Sequence, residues 1–232
     1  MKKILTLLAI ACSHICFAQT DINIILNKAK AKIESVNDYE AKGVMKTNVA
    51  FLKVPIAKVK IYFKKPNKLK LKSESGISFI PKGAVSINLN NLTGDNKFTV
   101  LDAGTEKLGG VMVRVAKLIP QDDNSDVVLS TVYIDETTFL IKKAKTTTKD
   151  NGTYELEMTY GEHAAFGLPS KIVFSFNAKD YKLPKGVTFD FDDGKAPTAP
   201  KDPLKGKKGK AQIVFSNYII NKGVDDGVFS GK

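Results

Sequence analysis

The stretch "KVKIYFKKPNKLKLKSES", from Lys58 to Ser75, decides the fold class. Apolar residues alternate with cationic or polar ones before Pro66–Asn67, and the same alternation resumes after it. The apolar positions are Val59, Ile61, Phe63, Leu69 and Leu71. Strict alternation of this kind predicts two half-buried β-strands joined by a turn. Each strand would present one apolar face and one face rich in lysine.

The same period of two runs through most of the chain after Tyr39 and predicts about ten or eleven strands in all. Asp150-Asn151-Gly152 is a strong hairpin signal between two of them. Because most strands follow one another without helices between them, the sheet is predicted to be antiparallel. The alternating segments are 41–51, 58–63, 69–72, 85–89, 98–101, 111–115, 127–134, 139–147, 154–160, 171–177, 187–191 and 211–220.

One helix is predicted over residues 21–36, with Thr20 as its N-cap and Asp21 in its first turn. Its apolar stripe consists of Ile22, Ile25, Leu26, Ala29, Ile33 and Val36. Short helical turns are further expected at 105–108 and 161–167. These helices are too few to cover one face of so wide a sheet.

The first 18 residues are predicted to be a secretory signal peptide. A basic start at Lys2-Lys3 precedes a short apolar run, and Ala18 supplies the small residue before the cut. Residues 19–232 would then form one periplasmic domain. The alternative is a lipoprotein signal cut before Cys12. No later stretch is long and apolar enough to be a membrane span.

Cleavage after Ala18 removes both cysteines, Cys12 and Cys16, and leaves His163 as the only remaining histidine. The mature chain would then have no disulfide, no thiol nucleophile and no thiolate metal site.

The net charge of +12 comes almost entirely from lysine, since Arg114 is the sole arginine. Nucleic-acid-binding proteins depend on the paired hydrogen bonds of arginine guanidinium groups and on aromatic side chains that stack on bases. Nucleic acid is therefore not expected as a partner. The lysines are interpreted as a solvated surface; the alternative is weak attraction to anionic lipid head groups. Segment 192–210, rich in lysine, proline and glycine, is predicted to be a flexible loop. It is interpreted as a tolerated insertion, the alternative being a cationic arm.

Catalysis is not expected from this composition, and neither is a cofactor or a metal. His163 lies beside Glu162 with Ser170 nearby, but the chain lacks a Gly-x-Ser-x-Gly elbow, so a hydrolase centred on His163 is the weakest hypothesis. The acidic stretches 122–126 and 190–194 lack the spaced ligands of a calcium loop and are interpreted as turns.

The apolar strand faces exceed what one helix can cover, which leaves two solutions. The sheet closes on itself as a barrel or sandwich, or it curls into an open half-barrel whose cavity shelters acyl chains. Each buried methylene would contribute ~0.8 kcal/mol. The candidate cavity-lining residues are Val59, Ile61, Phe63, Leu69, Leu71, Ile87, Leu89, Leu156, Met158, Ile172, Phe174, Phe176, Phe189 and Phe215.

The order of several segments resembles the LolA/LolB-like superfamily of outer-membrane lipoprotein carriers and receptors. The resemblance extends from about Asp21 to Phe229 and rests on order and spacing. The early strands of the chain have no arginine of the kind that latches the lid in the best-known carriers, and the chain has no tryptophan. The segments are "YEAKG" at 39–43, "KPNKLKLK" at 65–72, "YIDETTFLIKKAK" at 133–145, "KDNGTYELEMTYGE" at 149–162, "LPSKIVFSF" at 168–176 and "IVFSNYIINKGVDDGVFSG" at 213–231.

The resemblance implies a curved, unclosed antiparallel half-barrel capped by a helical lid. It further implies a monomeric carrier of lipid or lipoprotein acyl chains, served by an inner-membrane donor and an outer-membrane acceptor. The alternative is a non-enzymatic envelope adaptor or lipoprotein-sensing module, built on the same fold or on a closed β fold.

Overall fold

A computed structural model of the chain describes residues 20–49, 52–53, 56–66, 68–74, 98–150, 152–177 and 208–230. These residues form one α-helix, two short 3-10 helices and a single antiparallel sheet. The helix α1 spans Ile22–Glu34, and the 3-10 helices span Ala164–Phe166 and Asp226–Val228. The strands are β1 Asp38–Val49, β2 Leu52–Lys53, β3 Ala57–Lys64, β4 Lys68–Ser73, β5 Phe98–Leu108, β6 Val111–Pro120, β7 Val127–Asp135, β8 Ile141–Thr148, β9 Gly152–Tyr160, β10 Pro169–Asn177 and β11 Lys208–Ile220.

The strand order across the sheet is β4-β3-β1-β11-β10-β9-β8-β7-β6-β5, and β2 adds a short pairing on β1. Neighbouring strands are antiparallel. The edge strands β4 and β5 do not pair with each other, so the sheet stays open. The predicted fold class, an unclosed antiparallel half-barrel with a helical lid, is confirmed.

The predicted helix is confirmed with one correction at its start. Asp21, not Thr20, is the N-cap, since the Asp21 carboxylate accepts a 2.8 Å hydrogen bond from the backbone N–H of Asn23. A carboxylate at this position also interacts favourably with the helix dipole. The helix buries Ile22, Ile25 and Ala29, which belong to the predicted apolar stripe.

Two predicted boundaries differ from the structure. Residues 105–108 are the end of strand β5, not a helical turn, because β5 resumes its pairing with β6 at Thr105 after a bulge. Gly104 provides the left-handed turn in that bulge, with φ +83°. Strand β11 begins at Lys208, so the last three residues of the predicted loop 192–210 pair with β10. The predicted helical turn at 161–167 is confirmed by the 3-10 helix, and the alternating segments 85–89 and 187–191 lie outside the described residues.

A bulge in the middle of the sheet requires glycine. The register between β1 and β11 shifts between Lys42 and Gly43. A Cβ atom on Gly43 would lie 2.7 Å from the carbonyl oxygen of Val214. Bulges bend a strand and increase its twist, so this close approach contributes to the curvature of the sheet.

The chain after β11 fastens the sheet to the helix and to β3 and β4. Asn221, with φ +54°, accepts a 2.7 Å hydrogen bond from the N–H of Asn37, and its amide donates to the carbonyl of Ser35 at 3.1 Å. Asp226 forms ion pairs with Lys64 at 3.0 Å and Lys68 at 2.8 Å. Hydrogen bonds from Lys68 and Lys64 lower the pKa of Asp226.

Candidate functional site on the concave face

The concave face of the sheet is the face on which α1 lies. The main contacts of α1 are with β5, β6 and β7 and with the 3-10 helix Ala164–Phe166. The strands at the other side of the sheet, β4, β3, β1 and β11, carry further apolar side chains on the same face. These side chains form three clusters.

The first, which we call the helix cluster, lies beneath α1 and spans β6 to β11. Ile25, Leu118 and Ile134 are at most 1% exposed, so the helix and the sheet are in close contact here. Its buried members are Ile22, Ile25, Ala29, Ala116, Leu118, Val132, Ile134, Ile141, Ala144, Tyr154, Leu156, Met158, Phe174, Phe176 and Ala211, with Leu26, Ile33, Phe98, Val100, Phe139, Tyr160 and Ile172 packed around them.

The second, the tyrosine cluster, lies at the C-terminal end of α1. The ring of Tyr218 is its centre, at 5.6 Å from Tyr39, 5.1 Å from Phe215 and 5.1 Å from His163 between ring centroids. Edge-to-face and tilted contacts of this kind stabilise aromatic pairs beyond the area that they bury. The members of the cluster are Val36, Tyr39, Phe63, Leu69, Leu168, Tyr218 and Ile220.

The third, the edge cluster, consists of Met45, Ala57, Val59, Leu71 and Ile213 on β1, β3, β4 and β11. No residue of α1 belongs to it among the described residues. The apolar concave face therefore extends beyond the strands that the helix mainly contacts.

The structure distributes the predicted lining residues over all three clusters. Leu156, Met158, Ile172, Phe174 and Phe176 belong to the helix cluster. Phe63 and Leu69 belong to the tyrosine cluster, and Phe215 contacts it through Tyr218. Val59 and Leu71 belong to the edge cluster, while Ile61 is buried between Val59 and Phe63 on β3. Ile87, Leu89 and Phe189 lie outside the described residues.

Sequence reasoning missed four tyrosines on this face: Tyr39, Tyr154, Tyr160 and Tyr218. Burial raises the pKa of Tyr39, Tyr160 and Tyr218. The hydroxyl of Tyr160 donates to the carbonyl of Ile141 at 2.7 Å, and that of Tyr218 donates to Pro169 at 2.8 Å. Tyr160 and Tyr218 are therefore neutral, and their hydroxyls are hydrogen-bonded to backbone carbonyls, which keeps this part of the face apolar. Alternation along 154–160 with Leu156 and Met158 is the signal that predicts Tyr154 and Tyr160. Tyr218 lies beyond the bulge opposite Lys42–Gly43, which shifts the alternation of β11, so the sequence pattern does not predict it.

The sole arginine lies on the concave face as well. Arg114 alternates with Ala116 and Leu118 on β6, and both of these residues pack in the helix cluster. Arg114 is 2% exposed and forms an ion pair with Asp102 on β5, with Glu136 at 3.7 Å. A buried guanidinium needs such carboxylate partners because desolvation of an unpaired charge is costly.

The ion pair with Arg114 affects the pKa of Asp102. Burial alone would raise its pKa, but hydrogen bonds from Arg114 and from the N–H of Gly104 at 2.9 Å bring the pKa below its ordinary value. The Asp102 carboxylate therefore stays ionised at neutral pH, and its ion pair with Arg114 joins β5 to β6 at the bulge.

The residues considered for hydrolysis have other contacts. His163 packs edge-on against Tyr218, and the hydroxyl of Ser170 donates to the carbonyl of Thr159 at 3.1 Å.

The acidic stretch 122–126 forms a turn, as predicted: the Asp122 carboxylate accepts a hydrogen bond from the N–H of Asn124 at 2.9 Å. Across the described ranges, no group of three or more His, Cys, Asp or Glu side chains is arranged to hold a metal ion.

The outer face carries a polar groove of about 540 Å³ near the β5 bulge. Four threonines and two lysines dominate its lining, so it differs in character from the concave face. The threonines are Thr105, Thr131, Thr147 and Thr153, and the lysines are Lys117 and Lys145.

In the part of the chain that the structure describes, no helix has the length and hydropathy needed to span a membrane.

Comparison with known proteins places the fold, but not the family, of this chain. No family model matches the sequence, and no curated protein matches it. Among solved structures, a DUF1329 family protein from Desulfovibrio piger superposes with a TM-score of 0.56 at 14% identity, covering 90% of this chain and 97% of that one.

Two further structures are similar. A domain described as an outer-membrane lipoprotein-sorting protein from Vibrio parahaemolyticus has a TM-score of 0.54 at 13% identity, covering 89% of this chain and 94% of that one. A LolA superfamily protein from Nitrosomonas europaea has a TM-score of 0.51 at 12% identity, covering 90% and 97%. Together with the open sheet and its helical lid, these similarities show that the chain has a LolA-like fold.

Proposed function

We propose that the chain is a periplasmic carrier, exported by a cleaved signal peptide at residues 1–18, whose domain 19–232 binds lipid or lipoprotein acyl chains. The concave face would shelter the chains from water and carry them from an inner-membrane donor toward an outer-membrane acceptor. The transfer requires no covalent step, so no catalytic residue is assigned.

A single observation supports this proposal most directly: the concave face is apolar over more strands than α1 mainly contacts. The edge cluster lies on β1, β3, β4 and β11, while the helix packs chiefly on β5, β6 and β7. A hydrocarbon chain lying along this face would bury its methylenes against the half-buried Leu71 and Ile213, and each methylene would contribute ~0.8 kcal/mol. The fold that this chain shares with a LolA superfamily protein and a lipoprotein-sorting domain supports the same proposal of acyl-chain binding.

The absence of tryptophan from the whole sequence makes a direct test practical. A single tryptophan at Phe215→Trp, in the half-buried position beside Tyr218, would be the only indole fluorophore in the protein. Acyl chains brominated along their length quench indole fluorescence on contact. We expect saturable quenching by brominated chains and none by the matched unbrominated chains.

The matched control is Ile119→Trp on the outer face of β6, where the native side chain is 38% exposed. Quenching at Phe215→Trp but not at Ile119→Trp supports the carrier. Equal quenching at both positions indicates nonspecific association, and no quenching at Phe215→Trp contradicts the proposal. Native mass spectrometry of protein purified from its own envelope without detergent provides the second readout, since a carrier should retain copurified lipid.

The close packing of the helix cluster favours a second candidate, a non-enzymatic envelope adaptor or lipoprotein-sensing module of the same fold. Ile25, Leu118 and Ile134 have almost no exposed surface, as in an interior that needs no ligand. An adaptor would show no saturable acyl binding in the tryptophan experiment while remaining folded.

A further inference from the structure

The outer face of the sheet aligns lysines directly opposite one another across three strands. Lys42 on β1 pairs in register with Lys60 on β3, and Lys60 pairs with Lys72 on β4. Like charges at directly opposed positions destabilise a sheet. This row therefore introduces charge repulsion into the sheet, and an external anion would relieve that repulsion.

The adjacent row combines charge with exposed apolar surface. Lys58, Val44, Val214 and Lys171 follow one another across β3, β1, β11 and β10. The two valines, each 43% exposed, are directly paired and have a lysine on either side. An apolar centre between cations is suited to the interface of a membrane, where head groups and acyl chains meet.

Internal countercharge neutralises only part of this face. Glu74 pairs with Lys60 at 3.0 Å, and Asp226 pairs with Lys64 and Lys68. Within the described residues, Lys42, Lys58 and Lys72 have no ion pair. The face therefore presents a net positive charge to its surroundings.

We propose that the outer face of β4, β3, β1 and β11 docks on an anionic lipid bilayer, with lysine ammonium groups on lipid phosphates. The positive charges on this face belong to lysines, and a lysine ammonium group acts as a point charge. Arginine, whose planar guanidinium group donates paired hydrogen bonds, would be favoured if the partner were a fixed planar group. Mobile lipid head groups can adjust to a broad, regular array of point charges, and polybasic protein surfaces bind membranes that contain anionic lipids electrostatically. The inference rests on the charge and the exposed valines of this outer face, so it can be tested independently of acyl binding on the concave face.

The test is flotation of the mature protein with vesicles of phosphatidylglycerol mixed into phosphatidylcholine. We expect binding to these vesicles at low salt, none to pure phosphatidylcholine, and release near 1 M salt, where the screening length is about 3 Å. The triple variant Lys42→Gln/Lys58→Gln/Lys72→Gln should bind on the order of 100-fold more weakly, because each lysine near an anionic surface contributes to the affinity.

A matched triple variant, Lys107→Gln/Lys117→Gln/Lys145→Gln, removes the same charge from exposed positions on β5, β6 and β8. Both triples leave segment 192–210 unchanged, and circular dichroism checks their folding. Retained binding by this control supports the assigned face. Equal loss in both triples, equal binding to neutral vesicles, or no binding by the unaltered protein overturns the proposal. The Phe215→Trp quenching measurement, repeated on the first triple, reports acyl binding independently.

Discussion

The side-chain oxygen of Asn221 accepts a hydrogen bond from the backbone N–H of Asn37, which lies 184 positions earlier in the chain. The same asparagine donates to the carbonyl of Ser35, so one side chain joins the end of β11 to the end of α1. Helix ends leave backbone groups without intrahelical partners, and Asn221 satisfies one of them. It thereby fixes the C-terminal end of the lid helix to the sheet.

Substitution of Asn221 should loosen this junction. We expect Asn221→Ala to lower the free energy of unfolding by about 1–3 kcal/mol, because it removes the hydrogen bonds and places alanine at a positive φ. Urea unfolding measures the effect. Asn221→Gly separates the two causes, since glycine accepts the backbone conformation but restores no hydrogen bond. Asn217→Ala, at an exposed position of β11, should change little; an Asn221→Gly variant as stable as the parent would contradict the hydrogen-bond account.

The ion pair between Asp102 and Arg114 should matter for stability because the guanidinium is buried. Asp102→Ala leaves Arg114 with Glu136 at 3.7 Å as its remaining carboxylate among these contacts. We expect a loss of about 1–3 kcal/mol, since removing the half-exposed Asp102 carboxylate leaves the buried guanidinium poorly compensated. Thermal unfolding should show a lower midpoint for Asp102→Ala than for Asp126→Ala, an exposed position in the 122–126 turn. Equal midpoints would argue against this role.

The hydrogen bonds of Asp135 predict that the stability of the fold decreases in acid. Burial alone would raise its pKa, but hydrogen bonds from the N–H groups of Thr138 at 3.0 Å and Thr137 at 2.9 Å hold the pKa below the ordinary value of 3.8. Because the folded-state pKa is the lower one, the ionised carboxylate stabilises the fold above pH 3.8. That contribution is lost as the pH falls below this value.

We therefore expect the free energy of unfolding to decrease between about pH 5 and pH 2. Asp135→Asn should flatten this decrease, because an amide can still accept a hydrogen bond but does not titrate. Urea unfolding across the pH series measures the slope, and Asp126→Asn is the exposed control. An Asp135→Asn variant with an unchanged slope would refute the assignment.

Adjacent residues on β6 provide an internal comparison of the two faces. Leu118 is 1% exposed beneath α1, whereas Ile119 is 38% exposed on the outer face. Leu118→Ala should cost about 2–5 kcal/mol, as expected for a large-to-small change in a packed core. Ile119→Ala should cost roughly 1 kcal/mol or less, because much of its surface is already in water. Similar losses for both variants would mean that the helix cluster is less well packed than described.

The alternating pattern predicted most strands correctly because each strand is buried on one face only. The strand pair β3–β4 is the best example: four of its five large apolar residues pack in the tyrosine and edge clusters, and its lysines lie on the opposite face. The amphipathic stripe of α1 was equally informative. Local periodicity is sufficient in these places because burial of the apolar side is what orders the segment.

Elsewhere the deciding interactions are non-local. The bulge at Asp102–Thr105 depends on pairing with β6, so residues 105–108 carry no local signal of their strand conformation. Arg114 lies on the concave face because its carboxylate partners come from β5 and from the turn after β7. The strand order, which places β11 between β1 and β10, cannot be obtained from periodicity. Whether a ligand occupies the concave face is a question of volume, which the pattern does not encode.

The position of β11 has a consequence for how the protein is made. In the middle of the sheet, β1 pairs with β11, the last strand of the described chain. Until residues 208–220 have been synthesised, β4-β3-β1 and the ladder from β10 to β5 are two separate fragments with unpaired edges. Folding must then bring together segments far apart in sequence, which is slow and exposes edges to aggregation. A nascent chain arrested before residue 208 should therefore behave as two weakly structured pieces, and its completion by the last strand should be highly cooperative.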